Sequence, residues 1–321
     1  MNNQHWDAII IGGGAAGLNA AQTLGRSLRR TLVIDGGSPR NRFAGHMHNV
    51  LALDGTPPHV LLERGRAEAA AYGVEFREAE VRGVRDTETG AGTDGSANNT
   101  LTVELDTDES LTARTLIVAT GVTDALPPIP GLAERWGTTV LHCPYCHGWE
   151  VRGQRIGVLT TSPLGAHQAK LLTQWTSDLT VFTAGLDGDP LAGSGALDPE
   201  TERALRARGV KIVDEPVTEI VGEGSEIDAV RTAVADHPID AIFTAGELVP
   251  RDNFLAGLDL DRAESPVGSF LAVDPSGRTS HPRIWAAGNV VNPGATVPVA
   301  MGAGVMAGAM ANFALVEEDL A

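Results

Sequence analysis

The sequence predicts an α/β protein built on parallel sheets, and three segments carry this prediction. The apolar run at residues 8–11 is followed by a glycine-rich turn and then by residues 18–28, whose apolar positions have helical spacing. Residues 115–118 form another short buried-strand pattern that ends in a glycine turn, and residues 282–289 repeat that arrangement. Strands that alternate with helices and glycine turns are typical of a parallel sheet covered by helices.

Length, charge and termini narrow the class of protein. The chain has 321 residues, enough for two domains, and its 41 acidic against 24 basic residues give a formal net charge of -17. Such a surface repels phosphate backbones, so we expect no nucleic-acid partner. The N-terminus lacks the basic stretch of an export signal, and the uncharged segment 295–316 is rich in Ala and Gly, which favours a closely packed helix over a membrane span. We therefore expect a cytoplasmic protein with no membrane partner.

The first glycine turn has the sequence GGGAAG at residues 12–17 and matches the pattern G-x-G-x-x-G between a strand and a helix. In that pattern Gly12 permits the tight turn, Gly14 lets a pyrophosphate approach the backbone, and Gly17 brings helix and strand together. The next predicted strand ends at Asp35, 21 residues after Gly14, where a carboxylate binds a ribose hydroxyl. The motif predicts a dinucleotide site, but it does not distinguish FAD from NAD.

Both cysteines of the chain lie in one motif, Cys143-Pro144-Tyr145-Cys146, followed at once by His147. A CxxC pair can cycle between dithiol and disulfide, which favours redox chemistry. Cys-x-x-Cys-His is also the haem-attachment pattern, but that route requires export. A zinc site needs four ligands and no second Cys or His pair follows, so we predict no metal; a structural disulfide across so short a loop would restrain the unfolded chain little.

Together these motifs resemble, in order and over nearly the whole chain, the signatures of the flavoprotein disulfide reductases with two dinucleotide domains, specifically the small thioredoxin reductases. The resemblance implies that each chain has two Rossmann-like, three-layer ββα domains and that two chains form a homodimer. The FAD domain would be discontinuous (residues 1–123 and 247–321), split by a degenerate NADPH-type insert (residues 124–246) that carries the CxxC pair. The residues that would bind FAD by this resemblance are Gly12, Gly14, Ala15, Ala16, Gly17, Asp35, Gly36, Asn49, Ala119, Thr120, Gly121, Gly288, Asn289, Thr296, Val297 and Pro298.

Two details of that resemblance concern the end of the chain. Asn289 stands where the family has an Asp, so it can still form hydrogen bonds but lacks the charge. The helix after Thr296, Val297 and Pro298 would direct its N-terminal dipole toward the flavin and stabilise negative charge there.

The second strand-turn-helix segment departs from the family pattern. Its predicted strand (154–159) and helix (166–175) flank the turn TTSPLG, where a nucleotide-binding turn needs G-x-G-x-x-G or A, and Pro163 removes one amide. The following strand (179–182) ends without an Arg cluster or an acid for a ribose. We therefore predict that this domain keeps its fold and does not use NADPH. A divergent turn that still binds NADPH is the alternative.

The CPYCHGWE segment and the altered second turn look like those of the FAD-dependent dithiol oxidases, which close the disulfides of natural products such as gliotoxin and holomycin. The resemblance implies a role in antibiotic biosynthesis, a small-molecule dithiol substrate, and electrons that pass from Cys143 and Cys146 to FAD and then to O2, giving H2O2. Two alternatives stay open: an NADPH- or ferredoxin-linked reductase of thioredoxin or a small disulfide, and a non-catalytic flavin redox sensor.

Thiol exchange at the disulfide requires a base that forms thiolates near neutral pH. His147 is our first choice, with His142 and Glu150 as reserves. His46 and His48 are candidates for lining the substrate or flavin pocket.

Overall fold

The computed structural model describes residues 5–88, 99–162, 164–183 and 197–321. Contacts between Cα atoms divide the chain into two compact units. The first consists of Met1–Arg42, Asn49–Thr123 and Val249–Ala321, and the second of Phe43–His48 and Asp124–Leu248. The predicted insert, residues 124–246, lies within the second unit, together with the short segment Phe43–His48, which we had assigned to the first.

The first unit is built on a seven-stranded sheet. Its strands in chain order are β1 (His5–Ile11), β2 (Thr31–Asp35), β3 (Glu75–Glu78), β4 (Val81–Glu88), β5 (Asn99–Leu105), β6 (Ser110–Val118) and β19 (Ile284–Ala286). The spatial order is β3-β2-β1-β6-β5-β4, and β19 pairs with β6. β1, β2, β3, β6 and β19 run parallel, whereas β4 and β5 form an antiparallel extension. The centre of β1 is fully buried on both faces, as expected for a strand inside a parallel sheet.

Three helices belong to this unit: α1 (Ala15–Arg26), α2 (Pro58–Ala71) and α6 (Val297–Leu320). α6 packs on α1 through small residues, because a Cβ added to Gly304 would lie 2.0 Å from the carbonyl oxygen of Ala16 and one added to Gly308 would lie 2.9 Å from that of Ala20. The segment predicted to be a closely packed helix therefore packs against α1. Within the described ranges, α6 is the one helix whose length and composition would allow a membrane span.

The second unit is built on a five-stranded sheet in which every pair is parallel. Its spatial order is β11-β10-β9-β15-β8, with the strands β8 (Val140–Leu141), β9 (Ile156–Leu159), β10 (Leu179–Phe182), β11 (Lys211–Val213) and β15 (Ala241–Thr244). Its helices are α3 (Pro144–His147), α4 (Leu164–Leu172) and α5 (Pro199–Ala207). A largely parallel sheet in the first unit and a fully parallel sheet in the second, each with helices, confirm the predicted α/β class.

Smaller elements complete the two units. β12 (Val217–Val221), β13 (Ala229–Thr232) and β14 (Asp236–Pro238) form an antiparallel sheet, and β17 (Arg262–Ser265) pairs with β18 (Gly268–Leu271). β7 (Val122–Asp124) and β16 (Leu248–Pro250), which also pair, lie where the chain passes from one unit to the other and back. Three 3₁₀ helices are present in the described residues, Ala133–Arg135, Asn253–Leu258 and Gly288–Val290.

Candidate functional site

The first glycine turn connects β1 to α1 and is shaped by two close backbone approaches. Gly12 has a φ of +104°, and a Cβ at this position would lie 2.4 Å from the carbonyl oxygen of Ala119. A Cβ on Gly17 would lie 1.9 Å from the carbonyl oxygen of Gly12. Because no larger residue fits either position without moving backbone, the turn requires glycine at both for its own packing.

Gly14 is different, since an added Cβ there would meet nothing within 4 Å. Gly14 is the N-cap of α1, and it has no side chain that could accept hydrogen bonds from the amides of the first turn of the helix. This turn begins with Ala15 and Ala16. In the adjacent turn, Oγ1 of Thr120 is buried without a hydrogen-bond partner in the described part of the chain. Open space, uncapped amides at a helix N-terminus and an unsatisfied buried hydroxyl together fit the pyrophosphate of a dinucleotide.

Asp35 ends β2 beside this turn, at the position predicted for the ribose ligand. Gly13 makes room for it, because a Cβ there would lie 2.5 Å from Oδ2 of Asp35. Oδ2 also accepts a 2.9 Å hydrogen bond from Arg66, whose guanidinium lies 4.6 Å from the ring centre of Phe76, and Oδ1 accepts one from the amide of Gly37 at 3.3 Å. The sequence analysis missed Gly13 and Arg66. Gly13 occupies a variable position of the motif, and Arg66 lies on α2, about thirty residues further along the chain.

Three other predicted cofactor residues lie in turns of the first unit. Gly36 closely approaches Glu80, whose Oε1 would be 2.8 Å from an added Cβ. Asn49 has a φ of +62° and donates its backbone amide to Oδ1 of Asp54 at 3.1 Å. Gly121 has a φ of +70°, with open space where a side chain would stand. The last two have a backbone conformation that Gly and Asn adopt at the lowest cost.

Asn289 holds the loop that leads into α6. Its Nδ2 lies within hydrogen-bond distance of the carbonyl oxygens of Asn292 (3.1 Å), Pro293 (3.1 Å) and Ala295 (3.0 Å). The amide nitrogen of Asn donates hydrogen bonds, whereas the carboxylate of Asp only accepts them, so the Asn has a structural use here that an Asp could not serve. Gly288 precedes it with a φ of +82°.

The loop held by Asn289 ends at the start of α6. Thr296 is the N-cap of that helix and makes no side-chain cap, and Val297 and Pro298 are its first two residues. The amides of its first turn therefore lack a side-chain partner, which leaves this helix N-terminus suited to an anionic group.

The second strand-turn-helix segment is packed differently. Oγ of Ser162 donates to the carbonyl of Ala245 and accepts a 3.3 Å hydrogen bond from the amide of Leu164, the first residue of α4. The amide of Gly165 donates to the carbonyl of Ser162 at 2.9 Å, and a Cβ on Gly165 would lie 2.7 Å from Cα of Thr160. The first described amides of α4 are thus bonded within the turn. Pro163, as well as Ala184 and Gly185 after β10, lie outside the described residues.

Hydroxyl groups also tie this turn to the neighbouring strands. Oγ1 of Thr160 donates to the carbonyl of Phe182 at 2.9 Å, and Oγ1 of Thr161 lies 3.0 Å from that of Thr244. Thr160 and Ser162 are both buried. The side chains of the second turn therefore occupy the position that is open at Gly14 in the first turn.

Cys143 and Cys146 form a disulfide at the start of α3, with 5.2 Å between their Cα atoms. Cys143 is the N-cap of this short helix, and its carbonyl accepts hydrogen bonds from the amides of Cys146 (3.1 Å) and His147 (3.2 Å). Both cysteines are half-buried. A Cβ on Gly148 would lie 2.7 Å from the ring of Trp175, so glycine lets the helix end rest on that indole. The motif thus holds an accessible, preformed disulfide.

His147 ends α3 and is half-buried. Burial lowers the pKa of its imidazole below the usual value, and the nearby His46 and His48 lower it further, while Glu150 opposes them. The ring is therefore neutral at neutral pH and can accept a proton from a thiol.

His46, His48 and Glu150 lie together in the second unit. Nε2 of His48 is 3.3 Å from Oε1 of Glu150, and the rings of His46 and His48 meet edge to face with centres 5.1 Å apart. Met47 between them is buried, so the two histidines share the opposite side of the segment. The structure thus brings three predicted site residues close enough to influence His147.

His142 has other partners. Its Nδ1 is 4.0 Å from Oδ1 of Asp124, and its carbonyl accepts a 2.6 Å hydrogen bond from Gln168 on α4. These contacts anchor the residue just before Cys143 to the helix that follows the second turn.

Comparison with known proteins places this arrangement in a family. Residues 6–304 match the family of pyridine nucleotide-disulphide oxidoreductases. The chain belongs to this family. It is 30% identical to thioredoxin reductase tcpT of Claviceps purpurea, over 97% of this chain and 95% of tcpT. It is also 30% identical to thioredoxin reductase sirT of Leptosphaeria maculans, over 98% of this chain and 96% of sirT.

Two solved structures are similar to this chain over almost its whole length. HlmI is 41% identical with a TM-score of 0.88, over 98% of this chain and 94% of HlmI. An oxidoreductase from Agrobacterium tumefaciens is 35% identical with a TM-score of 0.86, over 97% of this chain and 99% of that oxidoreductase. The predicted thioredoxin-reductase-like fold with two Rossmann-type sheets is confirmed, and the protein is an oxidoreductase of a flavoprotein family that uses FAD. The residues around Gly14 and Thr120 fit that cofactor.

Proposed function

We propose that the protein is an FAD-dependent dithiol oxidase that closes an intramolecular disulfide in a small-molecule dithiol, with O2 as the final acceptor and H2O2 as the by-product. The observation that carries this proposal is the second turn, where the amides of Leu164 and Gly165 donate to Ser162 and the Ser162 hydroxyl donates to the carbonyl of Ala245. A nicotinamide dinucleotide needs these amides for its pyrophosphate. Without that donor, reducing equivalents enter from thiols.

The chain's own residues account for the thiol exchange. A substrate thiol gives its proton to His147, and the thiolate attacks Sγ of Cys143, so that an S–S bond forms to the substrate and Cys146 leaves as a thiolate. The second substrate thiol then gives its proton to the Cys146 thiolate, and its sulfur attacks the substrate sulfur of this mixed disulfide. Cys143 leaves as a thiolate and takes back the proton held by His147, so the cyclic product is released and both cysteines are reduced. When bound, FAD would supply the two-electron acceptor through which the reduced pair returns to the disulfide, with O2 as the final acceptor.

Two exposed aromatic side chains support a small organic substrate. Tyr145 is 61% exposed and Trp149 is 65% exposed, on either side of Cys146 in the sequence. Arg152 lies 4.1 Å from the ring centre of Trp149 and fixes its orientation. Aromatic faces next to a half-buried disulfide provide an apolar surface for an organic dithiol.

Oxygen consumption tests this function. Purified holoenzyme, supplied with air and dithiothreitol as a probe dithiol, should consume O2 and yield cyclic disulfide and H2O2 in equal amounts without NADPH. A panel of reduced natural-product dithiols would then rank the substrates. No dithiol turnover at all would instead support a redox sensor, and strict dependence on NADPH or ferredoxin would support a reductase.

The reductase remains the second candidate because the relatives tcpT and sirT are named thioredoxin reductases. A thioredoxin substrate would be reduced by electrons from NADPH or ferredoxin, the reverse of the direction proposed above. Disulfide reduction with NADPH in the absence of O2 would identify this activity.

The predicted domain division, homodimer and cytoplasmic location also stand as proposals. The exposed apolar side chains of Val305, Met306 and Phe313 on α6 support self-association, because such residues are costly in contact with water. Light scattering during size-exclusion chromatography should give twice the mass of the chain; a monomer would contradict the dimer.

A further inference from the structure

His46, His48 and Glu150 have the composition of a transition-metal site. Each offers one ligand atom, and the three ligand atoms all lie within 4.8 Å of one another. Two imidazole nitrogens and one carboxylate oxygen are a ligand set that binds zinc with a fourth position left open. The sequence predicts no metal, because no second Cys or His pair follows the CxxC motif. These ligands come instead from two segments that are about a hundred residues apart in sequence.

We propose that these three residues form a binding site for a divalent ion of the zinc class. The separation of Nε2 of His48 from Oε1 of Glu150, 3.3 Å, is the strongest geometric support. Ligands about 2.05 Å from a tetrahedral ion lie about 3.3 Å apart, because the edge of a tetrahedron is about 1.6 times its radius. The distance between these two ligand atoms therefore already matches that of a tetrahedral site.

The third ligand can complete the set with a small movement. His46 is exposed, so its ring can turn without displacing a packed neighbour. The buried Met47 fixes the backbone between the two histidines. Oε2 of Glu150 is buried without a hydrogen-bond partner in the described residues, and a cation would satisfy it.

The fourth coordination position would be filled by water or by a soft anion such as a thiolate.

The test is calorimetric titration of ZnCl2 alone into oxidised holoenzyme that has been treated with a chelator and contains no thiol reductant. Because the disulfide is closed in this state, the cysteine sulfurs provide no thiolate ligands. Binding is measured without turnover, so the result does not depend on the proposed oxidase function. We expect one Zn²⁺ per chain, because the three residues form a single site.

Three variants address the ligands. His46→Ala, His48→Ala and Glu150→Gln should each weaken zinc binding by about 100-fold or more, since even supporting groups around a metal are worth 10 to 100-fold. His59→Ala, which removes an exposed histidine on α2, is the matched control and should bind like the wild type. FAD content and thermal melting verify folding of each variant, and the exposed His46 offers a substitution with little structural cost. No binding by the wild type, or single-ligand variants within about threefold of it, would overturn the site.

Discussion

The two strand-turn-helix segments of this protein share an architecture and differ in the chemistry of the turn. Between β1 and α1, Gly14 leaves open space and the helix amides are uncapped. Between β9 and α4, Ser162 caps the first amide of the helix and its hydroxyl is bonded to a neighbouring carbonyl. Both segments retain a strand of a parallel sheet and a helix. Ligand binding therefore depends on a few turn residues, while the fold depends on strands and helices that either turn can connect.

The glycines of the two turns show what the turns share and where they differ. Gly17 and Gly165 occupy equivalent last positions of their turns, and a Cβ on either would collide with backbone, at 1.9 Å from Gly12 and at 2.7 Å from Thr160. This glycine is thus needed for helix packing whether or not a nucleotide is bound. Gly14, which leaves open space for a ligand in the first turn, is replaced by Ser162 in the second.

The largest expected effect concerns the two cysteines of the second unit. Cys143→Ser and Cys146→Ser should each reduce dithiol turnover by at least about 10⁴-fold, because each removes a group that forms a covalent bond in the exchange. Thiol oxidation measured by O2 uptake checks this. Thr161→Ala, in the turn of the same unit, is the control and should stay near the wild-type rate. A cysteine variant at the normal rate would refute the exchange scheme.

The next largest effect concerns the base. His147→Ala should lower kcat/KM by about 100-fold or more. Because burial lowers the pKa of this imidazole, the neutral, active form persists below pH 6.5, and the wild-type rate should fall only as the pH drops through that lowered pKa. The pH profile of kcat/KM measures this, with the exposed His167→Ala as the control. An unchanged profile in His147→Ala would exclude the role of base.

A smaller expected effect, on the affinity for FAD, distinguishes the first turn from the second. Gly14→Ala should weaken FAD binding by about tenfold or more, because the new methyl group occupies the open space while the backbone conformation, with a negative φ, accepts alanine. Ser162→Ala, in the other turn, should leave FAD binding unchanged. Flavin fluorescence during titration of apoprotein gives both affinities. Equal loss in the two variants would contradict the assignment of FAD to the first turn.

The smallest expected effect is on stability. Asn289→Asp should lower the free energy of unfolding by about 1–3 kcal/mol, because a carboxylate cannot donate to the carbonyls of Asn292, Pro293 and Ala295. Asn292→Asp is the matched control, since its Oδ1 only accepts a bond, from the amide of Gly294, and a carboxylate can do the same. Denaturant unfolding of both variants checks the difference, and an Asn289 variant as stable as the control would contradict it.

The sequence predicted local elements well because their signals are local. β10 has the predicted bounds of 179–182. β9 begins at Ile156, two residues later than predicted, and α1 begins at Ala15, three residues before the predicted start at residue 18. The approach of His46 and His48 to Glu150 could not be predicted, because it depends on the segment Phe43–His48 packing with residues about a hundred positions later. Arg66 beside Asp35 was missed for the same reason. Side-chain partners across long separations follow from packing, which single-sequence patterns do not encode.

The central claim is that electrons enter this flavoprotein from thiols and not from a nicotinamide. Anaerobic titration of the purified yellow holoenzyme, followed by the visible flavin absorbance, tests it most directly. Reduced dithiothreitol should bleach the flavin in wild type but not in Cys146→Ser, while NADPH alone should leave the spectrum unchanged over the same time. Prompt bleaching by NADPH would contradict the claim and identify the protein as a reductase.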